Sequence, residues 1–216
     1  MIISVVSIFP GVIEGFLRYG LLEKAIEKEI IIVNVYDLRT FSANKHHKVD
    51  DRPFGGGAGM VMTPQPLFNA INFIKEKKTG KVILFSAYAE LLTQEKVKEL
   101  ANEDHLILVC GRYEGVDQRV IDVLVDEEIS IGDYVLMGGE TAAQVVIESV
   151  ARMLEGVVGN PESVETDSFY HDHQFAFPQY TQPREYRGLK VPDVLLSGHH
   201  KEILQWRKQH QKRRNT

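Results

Sequence analysis

From its first residues to about residue 156, the chain alternates short apolar runs with stretches of helical period. Ile2 to Phe9 predicts a strand, and Val12, Ile13, Phe16, Leu17, Leu21, Ala25 and Ile26 predict the helix after it. Ile30 to Val35 predicts a second strand. Thr63-Pro64 opens a helix that buries Leu67, Ala70, Ile71 and Ile74, because proline suits a first helical turn and has no amide proton to leave unpaired. Val82 to Phe85 and His105 to Val109 predict further strands, with Thr93 capping a helix to Leu100 between them. Strands alternating with helices pair in parallel and are covered on both faces. The expected fold class is therefore α/β, a mostly parallel sheet with helices on both sides.

In open sheets of this kind, ligands settle at the carboxyl ends of strands. Two such ends stand out. Residues 129 to 144, ISIGDYVLMGGETAAQ, run from an apolar segment through Gly132 and Tyr134-Val135-Leu136 to Gly138-Gly139 and into a helix. Thr141 followed by Gln144 has capping-box spacing at that helix start. Glycines here allow backbone groups to approach a small molecule closely, and the apolar residues offer a dry wall for a ring. The partner is Cys110-Gly111-Arg112-Tyr113-Glu114-Gly115-Val116-Asp117, directly after the run 105–109, with Asp117 placed to cap a helix from Gln118 to Val125. Either loop alone is equally compatible with an ordinary turn that holds nothing. The two together favour a ligand site.

Composition narrows the classes. A single cysteine excludes an internal disulfide and a multi-cysteine zinc site, and Cys110 lies among apolar neighbours as a small hydrophobe. No apolar stretch approaches the ~20 residues that span a bilayer. The first residues, MIISVVSIFPG, lack a basic leader, so a cytoplasmic protein is expected. Net charge is −5, yet Lys201, Arg207, Lys208, Lys212, Arg213 and Arg214 crowd the last sixteen positions, and Lys45-His46-His47-Lys48 form a second basic cluster. Such runs are commonly solvated faces, but beside a ligand-binding core they leave room for a polyanionic substrate.

Other motifs say less. Phe54-Gly55-Gly56-Gly57-Ala58-Gly59-Met60 fails the dinucleotide fingerprint and lacks the Gly-Lys-Ser/Thr of a phosphate loop. A close-approach loop beside Arg52 is the remaining reading. The histidine pairs at 46–47, 171/173 and 199–200 lack metal-ligand spacing. Arg152 lies four residues after Glu148, a surface ion-pair spacing, and Asp167 could cap a short helix. After Gly156 the period is lost. The expected organisation is a cofactor-binding domain over 1–158, an interdomain linker over 159–193, and a small helical domain over 194–216 built on Val194 to Arg214.

The conjunction of GGGAGMVM, CGRYEGVDQR, EISIGDYVLMGGE, TDSF and VPDVLLSGHHKEILQWR resembles the bacterial tRNA (guanine-N1-)-methyltransferases, the TrmD family of the SPOUT superfamily. The resemblance implies a domain whose C-terminal part is threaded into a trefoil knot, followed by a small helical tRNA-binding domain. It implies S-adenosyl-L-methionine held by Leu84, Phe85 and Ser86, by Gly111 and Tyr113, by Ile131, Gly132, Asp133, Tyr134, Val135 and Leu136, and by Gly138 and Gly139. The implied substrate is tRNA, methylated at N1 of guanosine 37, 3′ of the anticodon. Asp167 matches the general base that takes the N1 proton, Arg152 the cation facing the guanine O6, and Glu114 the carboxylate that holds the guanine edge. Dependence on Mg²⁺ is also implied, with no ligand assigned, as is an antiparallel homodimer in which Asp167 reaches the other subunit's pocket.

Three places depart from the family pattern. Residues 170–177, YHDHQFAF, replace a leucine-rich acidic stretch; Gln182 stands where arginine is common; Ala87 stands where proline is usual. Two other functions remain open: a non-catalytic RNA-binding module, and a ribose 2′-O-methyltransferase of the same superfamily. Arg152, Asp167 and Glu114 together favour the enzyme, since a pure binder needs no proton acceptor. The motifs GGGAGM and LLSGHH argue against the 2′-O-methyltransferase.

Overall fold

The computed structural model describes residues 1–160, 163, 168–170 and 177–211. They fall into two compact units, Met1–Gly159 and Asn160–Thr216.

The first unit is built on five strands: β1 (Ile2–Ser7), β2 (Ile32–Asp37), β5 (Lys81–Leu91), β6 (His105–Val109) and β7 (Glu127–Ser130). They stand in the order β2-β1-β6-β5-β7, and every neighbouring pair is parallel. The expected parallel sheet is thus present. Between β2 and β5 lie a two-stranded ribbon, β3 (Asp50–Asp51) and β4 (Val61–Met62), and helix α3 (Pro64–Lys77). Helices α1 (Pro10–Phe16), α2 (Gly20–Glu27), α4 (Gln94–Ala101) and α6 (Glu140–Met153) cover one face, while α3 and α5 (Gln118–Leu124) cover the other.

Strand side chains alternate between two apolar layers. Ile3, Val5, Ile83, Leu106, Leu108 and Ile129 meet Val146, Ile147 and Val150 of α6. Val6, Val82, Leu84, Ile107 and Val109 meet Leu67, Ile71 and Ile74 of α3. Each fully buried aliphatic side chain of this kind contributes about 1.5–3 kcal/mol relative to exposure. The polar residues among them are paired: Ser4 Oγ lies 2.9 Å from His105 Nε2, and His105 Nδ1 lies 3.1 Å from the Lys78 carbonyl.

In the first unit the structure departs from the sequence expectation in three places. The helix expected from Val12 to Ile26 is two helices, because Gly20 takes a left-handed φ of 73° and Tyr19 is extended before it. β5 runs past Phe85 to Leu91, with its register against β7 broken between Phe85 and Glu90 so that 86–89 stand off the sheet. The capping box at Thr141 does not form. Helix α6 starts one residue earlier behind Gly139, and the Gln144 side chain instead donates to the Val12 carbonyl at 3.1 Å. Thr93 and Asp117 do cap α4 and α5, accepting from the amides of Lys96 and Arg119.

In the second unit, the stretch expected as linker contains a hairpin of β8 (Glu185–Tyr186) and β9 (Leu189–Lys190), turned by Arg187 and Gly188 at φ 52° and 80°. The single helix expected over 194–214 is two, α7 (Asp193–Leu196) and α8 (His200–His210), divided where Gly198 adopts φ 72°. Trp206 stacks on His210 at 4.0 Å and meets Tyr180 edge-on at 6.2 Å. Among the described residues, no helix is long and apolar enough to cross a membrane.

Candidate active site

Parallel strands bring all their carboxyl ends to one edge of the sheet, and the loops that leave β5, β6 and β7 meet there. They enclose a cleft of about 420 Å³. Leu84, Phe85, Ser86, Gly111, Tyr113, Ile131, Gly132, Tyr134, Val135, Leu136, Gly138 and Gly139 all line it. Of the expected cofactor residues only Asp133 does not. Glu114 and the buried Ala142 of α6 complete part of the wall.

Close backbone packing explains the glycines. Gly139 donates its amide to the Gly111 carbonyl at 2.9 Å, and Arg112 pairs with Gly138 as an antiparallel bridge. A Cβ on Gly139 would stand 2.8 Å from the Cys110 Cα, and one on Gly138 would collide with the Arg112 guanidinium. Gly139 is therefore needed for the approach of two loops, where the loop sequence suggested approach to a ligand. Gly111 has room, with its nearest neighbour 3.7 Å away. Tyr113 holds a left-handed φ of 62°, a conformation that costs a non-glycine residue about 1–3 kcal/mol. Hydrogen bonds on both sides hold it: Glu114 N to Met60 O and Met62 N to Gly115 O, both 2.9 Å.

Beneath the cleft lies an ion pair that no sequence spacing indicated. Glu140, 2% exposed, accepts from Ser7 Oγ at 2.6 Å and from Arg112 Nε at 2.9 Å, while Arg112 Nη2 stands 2.8 Å from its Oε2. The Arg112 guanidinium also donates to the Met137 carbonyl at 3.2 Å and lies 4.6 Å over the Phe9 ring. One arginine thus ties the end of β1, the 111–117 loop, the 131–139 loop and the start of α6 together. Cys110 is buried beside them, and burial pushes its thiol well above its usual value, so it serves as packing rather than as a nucleophile.

Glu114 sits at the rim. Its side chain fills the space a Cβ on Gly59 would occupy, so the GGGAGM loop packs against this carboxylate. Three residues on, Asp117 is held below the usual carboxylate value by hydrogen bonds from Arg119.

Arg152 lies elsewhere. It is in the last turn of α6, and by the 1.5 Å rise per residue it stands ~15 Å along the axis from Ala142. Helix α6 runs antiparallel to the strands: its start is fixed to Ser7 at the end of β1, and the chain just after it reaches Ile30, which binds the amino group of Met1. Helix α6 thus carries Arg152 along the sheet from the cleft-lining residues at its start, and the neighbouring Met153 sulfur accepts from Gln94 Nε2 at 2.9 Å, at the start of α4. Asp167 lies outside the described residues.

Comparison with known proteins agrees with this architecture. The family model described as tRNA (Guanine-1)-methyltransferase TrmD matches residues 1–216. The chain is 50% identical over 211 residues to the tRNA (guanine-N(1)-)-methyltransferase of Desulforamulus reducens, covering 96% of this chain and 83% of that protein. It is 47% identical over 215 residues to the one from Geobacillus kaustophilus, covering 99% and 88%. The crystal structure of the tRNA (m1G37) methyltransferase from Aquifex aeolicus superposes with a TM-score of 0.82 at 41% identity, over 97% of this chain and 88% of that one. With a parallel sheet, a cleft of glycine loops at its carboxyl edge and a family match over its full length, the chain belongs to the TrmD family of tRNA (guanine-1)-methyltransferases.

Proposed function

We propose that the chain transfers a methyl group from S-adenosyl-L-methionine to N1 of guanosine 37 in tRNA. The observation that carries this reading is the cleft itself, formed by backbone loops at the carboxyl edge of the sheet with Glu114 at its rim. Its dimensions suit a nucleoside with a short tail. Apolar side chains of the 84–86 and 131–136 loops face a ring, and exposed amides and carbonyls of the same loops meet its edge. When bound, the cofactor supplies an electrophilic methyl on a sulfonium. The task left to the protein is to align the guanine and remove its N1 proton. Glu114 accepts from the N–H groups of the guanine edge, Asp167 takes the proton, and Arg152 stabilises the charge that develops on O6.

Arg152 stands ~15 Å along α6 from the Ala142 that lines the cleft. A homodimer accommodates this: the far end of α6 in one copy, together with Asp167, completes the cleft of the other. Val12 of α1 and Val145 of α6 are 46% and 40% exposed, which gives an apolar surface for that pairing. We also read the return of residues 131–139 beside 110–112 as the family's trefoil crossing, supported by the Arg112–Gly138 bridge. Among the described residues, no three His, Cys, Asp or Glu side chains converge as a metal site. Such an enzyme would work in the cytoplasm, where tRNA is.

The test is direct. A tRNA transcript with guanosine 37, incubated with cofactor and enzyme, should yield 1-methylguanosine on nucleoside digestion, and a transcript with adenosine at that position should yield none. Appearance of a 2′-O-methylated nucleoside instead would establish the ribose-methylating alternative and overturn this reading.

A further inference from the structure

The basic cluster at 45–48 is not used by the cleft, and the structure gives it a built setting. Residues 38–49 fold back on α3: the 3-10 turn Leu38–Phe41 is followed by a loop whose Phe41 carbonyl accepts from Gln65 Nε2 at 2.9 Å and from Asn69 Nδ2 at 3.3 Å. Gln65 Oε1 accepts in turn from the Ala43 amide at 2.9 Å. His47 Nδ1 lies 3.2 Å from the Arg39 carbonyl, joining the two ends of the loop. Phe41 packs on Phe73 with ring centres 5.5 Å apart, and Lys77 stands 4.1 Å over Phe73. Lys45, His46, His47 and Lys48 are exposed on this platform, with Arg39 half-buried at its base. Among the described residues, Arg39, Lys45 and Lys48 form no ion pair. Of the acids flanking it, Asp37 turns its carboxylate to the Arg39 amide and Asp51 accepts from the Arg52 amide, while Asp50 follows Lys48 by two residues in β3.

Two features connect the platform to the chemistry. Cations stand at both ends of α3, Lys45 and Lys48 near its start and Lys77 at its end, ~18 Å apart along the helix. Val49 then leads into β3, which pairs with β4, whose Met62 amide donates to Gly115 beside Glu114. Two such steps at strand spacing place the Glu114 loop within roughly 10 Å of Asp50. We infer that the 39–48 platform and the end of α3 form a phosphate-docking surface for the RNA strand that enters the cleft. Unneutralised cations on a braced loop, with an aromatic face behind Lys77, match a polyanion that also presents rings. The inference rests on tRNA being the substrate.

The test compares tRNA binding by wild-type protein, by the variant R39Q/K45Q/K48Q and by K24Q/K28Q, which removes exposed lysines from α2 and the adjoining residue on the opposite face of the sheet. The triple variant should bind a tRNA transcript at least tenfold more weakly at low salt. Its slope of log affinity against log salt should be shallower by about two to three, since each phosphate contact contributes roughly 0.7–0.9. Affinity for the cofactor should be unchanged, and K24Q/K28Q should bind RNA as wild type does. The single variants K45Q and K48Q, both at exposed positions, should each flatten the slope by about one, so the result does not depend on the triple variant folding. A wild-type slope in the single and triple variants, or equal losses in K24Q/K28Q, would overturn the docking surface while leaving the methylation reading intact. Wild-type protein that fails to bind tRNA at any salt would overturn both.

Discussion

At the scale of single residues, the cleft depends on two kinds of constraint, and they predict different outcomes. Gly139 sits against strand backbone, whereas Gly111 has space for a methyl group. Gly139→Val should therefore abolish cofactor binding through displacement of the 131–139 loop, while Gly111→Ala keeps the fold and its melting temperature. Calorimetric titration of the two variants separates these results, and wild-type cofactor affinity in Gly139→Val would contradict the packing described. Glu140 is the second constraint. Glu140→Ala strands the Arg112 guanidinium and Ser7 hydroxyl and should cost about 2–4 kcal/mol in urea unfolding, since charged hydrogen-bonded partners lose more than neutral ones. Both loops are visible in the sequence because glycine clusters after apolar runs are local signals. The Ser7–Glu140–Arg112 network is not, because its members lie up to 133 positions apart and no spacing rule links them.

At the scale of elements, the sheet order follows from strands whose apolar runs are short and bounded, and those runs are legible. Where the expectation fails, a glycine in the left-handed region is responsible twice, at Gly20 and Gly198, each cutting a continuous apolar period into two helices. Helical periodicity cannot register a single residue's φ. The extension of β5 was also hidden, since it depends on pairing with β7, a strand far along the chain. That pair is fastened on its outer side by Glu127, which lies 2.7 Å from Lys81 Nζ and 2.8 Å from Lys96 Nζ. Burial pushes the Glu127 carboxyl up, but hydrogen bonds from the two lysines outweigh it and hold the group below its ordinary 4.5. A lowered carboxylate adds stability that is complete above its unfolded value and is lost as pH falls through the folded one. Glu127→Gln should therefore reduce stability at neutral pH and flatten its decline below about pH 5. Chemical denaturation over that range checks the sign, and an undiminished acid slope would contradict it.

At the scale of the whole molecule, the decisive fact is that α6 spans the sheet. It begins in the cleft and carries Arg152 ~15 Å along its axis from Ala142, which the proposed homodimer turns toward the cleft of the other copy. The family resemblance supplies the proposed roles of Arg152 and Asp167, and the direction of α6 supports the proposal that Arg152 serves the cleft of a second copy. Single substitutions Arg152→Ala and Asp167→Asn should each lower methylation by at least ~10²-fold, the usual scale for a charge-stabilising group or general base, with cofactor affinity kept. Composite assembly makes a stronger demand. Arg152→Ala/Asp167→Asn subunits keep an intact cleft, and Gly139→Val subunits keep both proposed catalytic side chains, so each should be inactive alone. Co-refolded, they should give heterodimers in which one of the two sites is whole, and single-turnover methylation of tRNA should rise at least ~10²-fold above either homodimer. Heterodimers that form, verified by differential tagging, yet stay as inactive as their parents would contradict a site shared between copies.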